Sequence, residues 1–298
     1  MRTPLRRSEW LSGETGAEVY LKLETLQPTF SYKIRGAWNA VLAMTERGDS
    51  RAIVTASAGN HGRGLAYAAR LEGRPLRVYA PATAPQTKLE GMRSLGADVR
   101  LTEDYDAAER SAKADAERTA AVFISPYSHA DVIAGAGTVG LEILEDCPDL
   151  DIAFVPVGGG GLISGIAIAL ESTRASVVGI EAQASCPFTR SLEAGRIVAI
   201  EVAPTIADGL AGNLDPDAVT FDIVRRLVSR IEIVAEDEIR SALGRVVNEE
   251  RLVVEAAAAV AVAGARRQRF KPAERTAQKV AVVLSGANID AETLRAII

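Results

Sequence analysis

Short runs rich in valine and isoleucine alternate with alanine-rich stretches of helical length along almost the whole chain. This alternation constrains the fold more than any other feature. A run such as 152–157 (IAFVPV) is too short for a helix, and apolar side chains point to both of its faces. Strands of that kind need cover on both sides, which the intervening helices supply. The pattern therefore predicts an α/β fold with helices on both faces of mostly parallel sheets. Strands are expected at 18–23, 52–55, 76–80, 97–101, 121–124, 152–157, 177–181 and 279–284. Helices are expected at 34–47, 60–72, 85–95, 105–118, 137–145, 162–173, 236–250, 255–268 and 290–297. For the helix at 85–95, Thr83 is the expected cap, Pro85 presets the first turn and Gly96 ends it. No linker rich in glycine, serine or proline divides the chain, and no repeat is present. Residues 187–222 show weak periodicity and read as a long excursion.

Composition narrows the function. The 298 residues carry 34 basic and 39 acidic side chains and only 5% aromatics, so a basic, stacking surface for nucleic acid is excluded. Two cysteines, Cys147 and Cys186, lie too far apart for a CxxC motif and suit a reducing cytoplasm. With His61 and His129 as the only histidines, a multi-histidine metal site is unavailable. The N-terminal MRTPLRRSEW is followed by no apolar stretch, so it does not read as a secretory signal. The longest apolar run, 252–265, contains Glu255 and falls short of the roughly 20 residues a membrane span needs.

Four segments follow strand candidates, where open α/β sheets gather their ligands. In the first, 21–37, Pro28 and Thr29 break the strand, Ser31 is placed to cap a helix, and Lys33 falls in its first turn. Backbone N–H groups and the helix dipole lower an amine's pKa there, as a Schiff-base lysine requires; a solvated lysine is the structural alternative. In the second, 55–64, the small residues Ser57, Ala58 and Gly59 precede Asn60 and His61 and leave the backbone open to a carboxylate or phosphate. His61 suits either a general base or a hydrogen-bonding strut. In the third, a strand runs into Gly158, Gly159, Gly160 and Gly161 and then Leu162, a cradle for phosphate. The GxGxxG dinucleotide fingerprint fails, because the sixth position falls on Ile163 or Ser164, and the GK[ST] ending of a P-loop is absent. A monophosphate therefore fits better than a pyrophosphate. In the fourth, 282–288, a strand feeds Ser285, which presents a hydroxyl or caps the last helix.

Together and in this order, 28–37, 57–64, 155–162 and 285–288 resemble the threonine/serine dehydratase branch of the fold-type-II pyridoxal-phosphate enzymes. Further similarity lies at 81–88, 135–141, 205–210 and 236–239, so the resemblance covers nearly the whole chain. It implies two lobes, a large cofactor-binding domain of 1–49 and 131–298 and a small inserted domain of 50–130 that carries the substrate-carboxylate loop. It also implies pyridoxal 5'-phosphate as cofactor, a small amino-acid substrate and a homodimer. Lys33 would bind the cofactor covalently, Asn60 would contact its 3-hydroxyl oxygen, and 158–161 with Leu162 would hold its phosphate. Ser285 would face the pyridine nitrogen, with Gly209 and Glu255 close behind. Ser57, Ala58, Gly59, Asn60 and His61 would bind the substrate carboxylate. Catalysis would rest on Lys33, Ser57 and Asn60. The reaction implied is dehydration and deamination of a β-hydroxy-α-amino acid to a 2-oxo acid and ammonia.

Four departures from the family pattern matter. Ala58 stands where racemases of the group carry a second serine serving the opposite face of Cα, which favours elimination over racemisation. Phe30 replaces the usual glycine, and Tyr32 the usual phenylalanine, beside Lys33. Glu181 matches the first ligand of a divalent-cation site found in relatives, but Pro187 stands at the aspartate position, so no metal is expected. The chain ends at Ile298 after the catalytic lobe, so an amino-acid-sensing regulatory domain and feedback inhibition by isoleucine are not expected. The other readings are a racemase or β-replacement synthase on the same fold, and a non-catalytic ligand-binding relative. The synthase pattern, with TSGNTG and GTGGT loops, is not found here.

Overall fold

The computed structural model describes residues 1–270 and 278–298 and separates by packing into two units. One comprises Met1–Tyr32 with Gly137–Ile298, the other Lys33–Ala136. The chain begins with β1 (Leu5–Arg7), α1 (Glu9–Thr15) and β2 (Glu18–Leu23). It continues through α2 (Lys33–Glu46), β3 (Ile53–Ala56), α3 (Asn60–Leu71), β4 (Leu76–Pro81), α4 (Gln86–Arg93), β5 (Asp98–Thr102), α5 (Tyr105–Thr119) and β6 (Val122–Phe123). After α6 (Ala130–Asp146) come β7 (Ile152–Pro156), α7 (Gly161–Leu170), β8 (Ser176–Ala182), α8 (Pro187–Ala194), α9 (Thr220–Leu227) and β9 (Arg230–Val234). The chain closes with α10 (Glu236–Arg245), α11 (Ala256–Arg266), β10 (Lys279–Leu284) and α12 (Ala291–Arg295).

The first unit is built on a sheet of order β1-β2-β10-β7-β8-β9, in which every pair is parallel except β1 with β2. Its core joins Val280, Val282 and Leu284 of β10 and Leu21 of β2 to the alanine and valine side chains of α11. Near-total burial of α11 explains its composition, because small side chains let a helix lie close over a sheet. The second unit carries the parallel sheet β5-β4-β3-β6. There α2 and α3 pack over β3 and β4 through Val41, Leu65, Ile53 and Val78. Helices α2 and α6 meet at Gly36 and Gly135. A Cβ on Gly135 would strike the Arg35 carbonyl oxygen and stand 2.7 Å from the Gly36 Cα, so only glycine permits this approach. The architecture is the α/β class that the alternation predicts, with two parallel-sheet regions and helices around them.

Several local expectations change. Thr83 caps nothing; α4 begins after Pro85, whose ψ of 130° keeps it outside the helix. Two strands were not anticipated. β1 is only three residues long and carries two arginines on an antiparallel edge, while β9 (RIEIV) alternates charged and apolar residues. The excursion over 187–222 contains α8 and the start of α9, the first of which has proline at its opening turn. Phe30 takes the left-handed conformation at φ 56°, where the family pattern has glycine, and its ring is half exposed. The turn is held by Phe30 N–H donating to the Gln27 carbonyl at 2.7 Å and by Ala287 N–H donating to the Phe30 carbonyl at 2.8 Å.

Candidate active site

In the second unit, Lys33 is the first residue of α2, half-buried, and its Nζ donates to the Pro126 carbonyl at 2.7 Å. Ser57, Ala58 and Gly59 form the turn between β3 and α3, and Asn60 and His61 open α3. Ser57 is buried, and its Oγ accepts from Gly62 N–H at 2.9 Å and Gly59 N–H at 3.2 Å, closing the turn onto the helix start. Ala58, Gly59 and Asn60 are half-buried. Helix α3 lies tightly on the start of α2, since a Cβ on Gly64 would stand 3.2 Å from the Lys33 carbonyl carbon. The lysine and the 57–61 loop, far apart in sequence, therefore belong to one packed neighbourhood.

His61 is buried, and its Nε2 lies 3.4 Å from the Ile124 carbonyl. Its Nδ1 has no hydrogen-bond partner. Burial, with the Lys33 charge adding to it, pushes its pKa down to about 3, so the imidazole is neutral at pH 7. In the unfolded chain it takes a proton below about 6.5. The unfolded state thus binds more protons between these values, and stability falls as the pH drops from 6.5 towards 3. His61 alone is expected to remove about 1.4 kcal/mol for each pH unit in that window. Urea midpoints at pH 7 and pH 5 measure this. The difference should shrink in His61→Gln, with His129, also pushed down by burial, supplying the remainder. A midpoint as high at pH 5 as at pH 7 would contradict the assignment.

In the first unit, Gly158, Gly159 and Gly160 connect β7 to α7, with Gly161 and Leu162 as the first residues of that helix. Gly160 is left-handed at φ 85°, and its missing Cβ would strike the Phe188 ring. A Cβ on Gly158 would stand 3.1 Å from the Leu210 Cα. Gly209 lies in a short 3-10 turn, Asp208–Leu210, over Ala257 at the start of α11. Leu210 and Phe188 thus pack where side chains at 158 and 160 would stand, and the bare backbone N–H groups at the opening of the helix fit the phosphate of the expected cofactor.

Ser285 follows β10 and is buried, and its carbonyl accepts from Tyr32 N–H at 2.9 Å. Glu255 N–H donates to the Gly286 carbonyl at 3.0 Å, and its carboxylate occupies the space beside Gly286. Burial, with the Glu255 charge second, pushes the Tyr32 phenol above its ordinary range. Ser285, Glu255 and the turn preceding Lys33 thus come together. Pro126, Phe188, Leu210 and Thr220 were not anticipated. Each touches its site residue from a distant stretch of sequence, and no local pattern marks them. Among the described residues, no group of three or more histidine, cysteine, aspartate or glutamate side chains is placed to hold a metal ion.

A model of the family described as "Pyridoxal-phosphate dependent enzyme" matches residues 1–286. An L-threonine ammonia-lyase of Thermotoga maritima is 42% identical over 300 residues, covering 100% of this chain and 74% of that protein. The solved structure of the processed form of threonine deaminase isoform 2 from Solanum lycopersicum superposes with a TM-score of 0.90 at 33% identity, over 100% of this chain and 87% of that one. Maize serine racemase superposes with a TM-score of 0.91, also at 33% identity, over 99% and 91% of the two chains.

Proposed function

The chain belongs to the pyridoxal-phosphate-dependent enzymes, and from that premise we propose a β-hydroxy-α-amino acid, L-threonine or L-serine, as its substrate. The enzyme is an ammonia-lyase that dehydrates and deaminates this substrate to a 2-oxo acid and ammonia. The observation that carries this reading is the 42% identity, along the whole chain, to an L-threonine ammonia-lyase.

The cofactor supplies an electron-withdrawing ring that acidifies the Cα–H of the amino acid joined to it. The protein's own residues do the rest. The Lys33 amine would hold the cofactor and, once free, would take the Cα proton. Ser57 and the backbone of 58–61 grip the carboxylate and so fix which Cα bond is exposed. Residues 158–161 and Leu162 would hold the phosphate, Asn60 would meet the 3-hydroxyl oxygen, and the Ser285 hydroxyl would face the ring nitrogen, with Gly209 and Glu255 behind. A hydroxyl there would not favour a charged ring, which suits elimination of the β-hydroxyl as water, its proton balanced by the one taken from Cα. The enamine that leaves hydrolyses to the 2-oxo acid and ammonia.

By role, residues 1–49 and 131–298 form the cofactor-binding domain and 50–130 the domain of the carboxylate loop, although α2 packs with the second unit. A homodimer in the cytoplasm completes the proposal. In support of a reducing compartment, both cysteines are free and buried. No helix among the described residues is long and apolar enough to cross a membrane.

The similarity to maize serine racemase favours racemisation as the second reading. Ala58 speaks against it, because its side chain has no proton to deliver to the opposite face of Cα. A panel of L-threonine, L-serine and bulkier β-hydroxy amino acids, followed for ammonia, 2-oxo acid and chirality of the remaining substrate, separates the two. Ammonia and 2-oxo acid in equal amounts with unchanged chirality are expected. Extensive inversion without ammonia would make the protein a racemase.

A further inference from the structure

We propose that Glu181, acting through Phe188, and Thr220 are positioning residues that hold the glycine loop in its phosphate-binding shape. The inference rests on the reading of that loop as the phosphate cradle. Glu181 lies on β8, the neighbour of β7 from which the loop springs, and its side chain is fully buried. One carboxylate oxygen accepts from Phe188 N–H at 2.9 Å; the other accepts from Thr189 N–H at 2.9 Å and from Thr189 Oγ at 2.7 Å. Burial pushes the Glu181 pKa up, and these donors oppose the shift. A buried carboxylate requires such donors, and in taking them it fixes the first turn of α8.

That turn aims the Phe188 ring at the loop. The ring is fully buried, and its Cε2 stands 2.8 Å from where a Gly160 Cβ would be. From another direction comes Thr220, the first residue of α9, also fully buried. Its Oγ donates to the Gly159 carbonyl at 2.9 Å, and its Cβ stands 3.0 Å from the same empty Cβ position of Gly160. The 159–160 peptide is thus held by α8 and α9 together. Because a trans peptide directs its carbonyl and the following N–H in opposite directions, anchoring the Gly159 oxygen on Thr220 turns the Gly160 N–H away from Thr220. The same anchor keeps the carbonyl's negative end off a bound phosphate.

Equilibrium titration of the cofactor-free protein with pyridoxal phosphate and with pyridoxal, which lacks the phosphate, tests the assignment. Thr220→Val is expected to weaken pyridoxal phosphate binding about five- to tenfold, the effect of one lost hydrogen bond, while leaving pyridoxal unchanged. Thr220→Ser, which keeps the hydroxyl, should restore most of the affinity. Glu181→Gln is expected to show a larger loss with the same phosphate-only signature. If that variant fails to fold, Thr189→Val, which removes one donor to Glu181, takes its place. Wild-type affinity for pyridoxal phosphate in Thr220→Val, or equal losses for both ligands, overturns the proposal. A wild-type protein that binds both ligands equally well overturns instead the phosphate-cradle reading on which it rests.

Discussion

Lys33→Ala is expected to lower ammonia release by at least about 10⁴-fold. General-base transfer by a positioned side chain contributes roughly 10²–10⁴, and the variant also loses the amine proposed to join the cofactor to the protein. Stability should change little. The side chain is half-buried, and its bond from Nζ to the Pro126 carbonyl ends on a backbone oxygen that water satisfies equally well. Two measurements check this: ammonia release under saturating substrate, and the visible absorbance of lysine-bound cofactor. Both should vanish while the unfolding midpoint is kept. A variant that retained a tenth of the activity would remove Lys33 from the reaction.

Gly160→Ala carries the largest expected effect on the fold of the site. An alanine held left-handed, as at φ 85°, costs roughly 1–2 kcal/mol. Forcing its Cβ against a buried ring adds about 1–3 kcal/mol of overpacking. The collision is with Phe188, whose backbone is fixed by Glu181, and with Thr220, so neither neighbour yields easily. A loss of about 2–5 kcal/mol in urea unfolding is therefore expected, together with failure to retain pyridoxal phosphate. Gly195→Ala provides the control. Gly195 is also left-handed, at φ 69°, but a Cβ there meets nothing within 4 Å. It should show only the backbone part of the loss. Equal losses in the two variants would show that Phe188 is no wedge.

The placement of the candidate residues at element ends was legible in the sequence. Lys33, the 57–61 loop, the glycine run and Ser285 each sit where a strand or turn passes into a helix or loop, and strand ends are readable from short-range pattern. What the pattern concealed was context. Thr83 has the side chain of a good cap, yet the backbone at Pro85 keeps it out of reach of the helix start. The long excursion over 187–222 hid α8, which is only eight residues long and whose Phe188 fills the space under Gly160. His61 read equally well as base or strut. Only its burial beside Lys33 makes it a neutral imidazole.

The sequence by itself determined the α/β class, the strands β2, β3, β7 and β10 that lead into the four segments, and which residue types stand at their ends. These depend on hydrophobic period and turn chemistry, both properties of neighbouring residues. Tertiary structure decided the protonation of His61, the meeting of α2 and α6 at Gly36 and Gly135, and the clamp on Gly160. Thr220 reaches Gly159 across 61 residues of chain. Burial, close approach and hydrogen-bond partnership are set by segments that become neighbours only on folding, and no local pattern encodes which those will be.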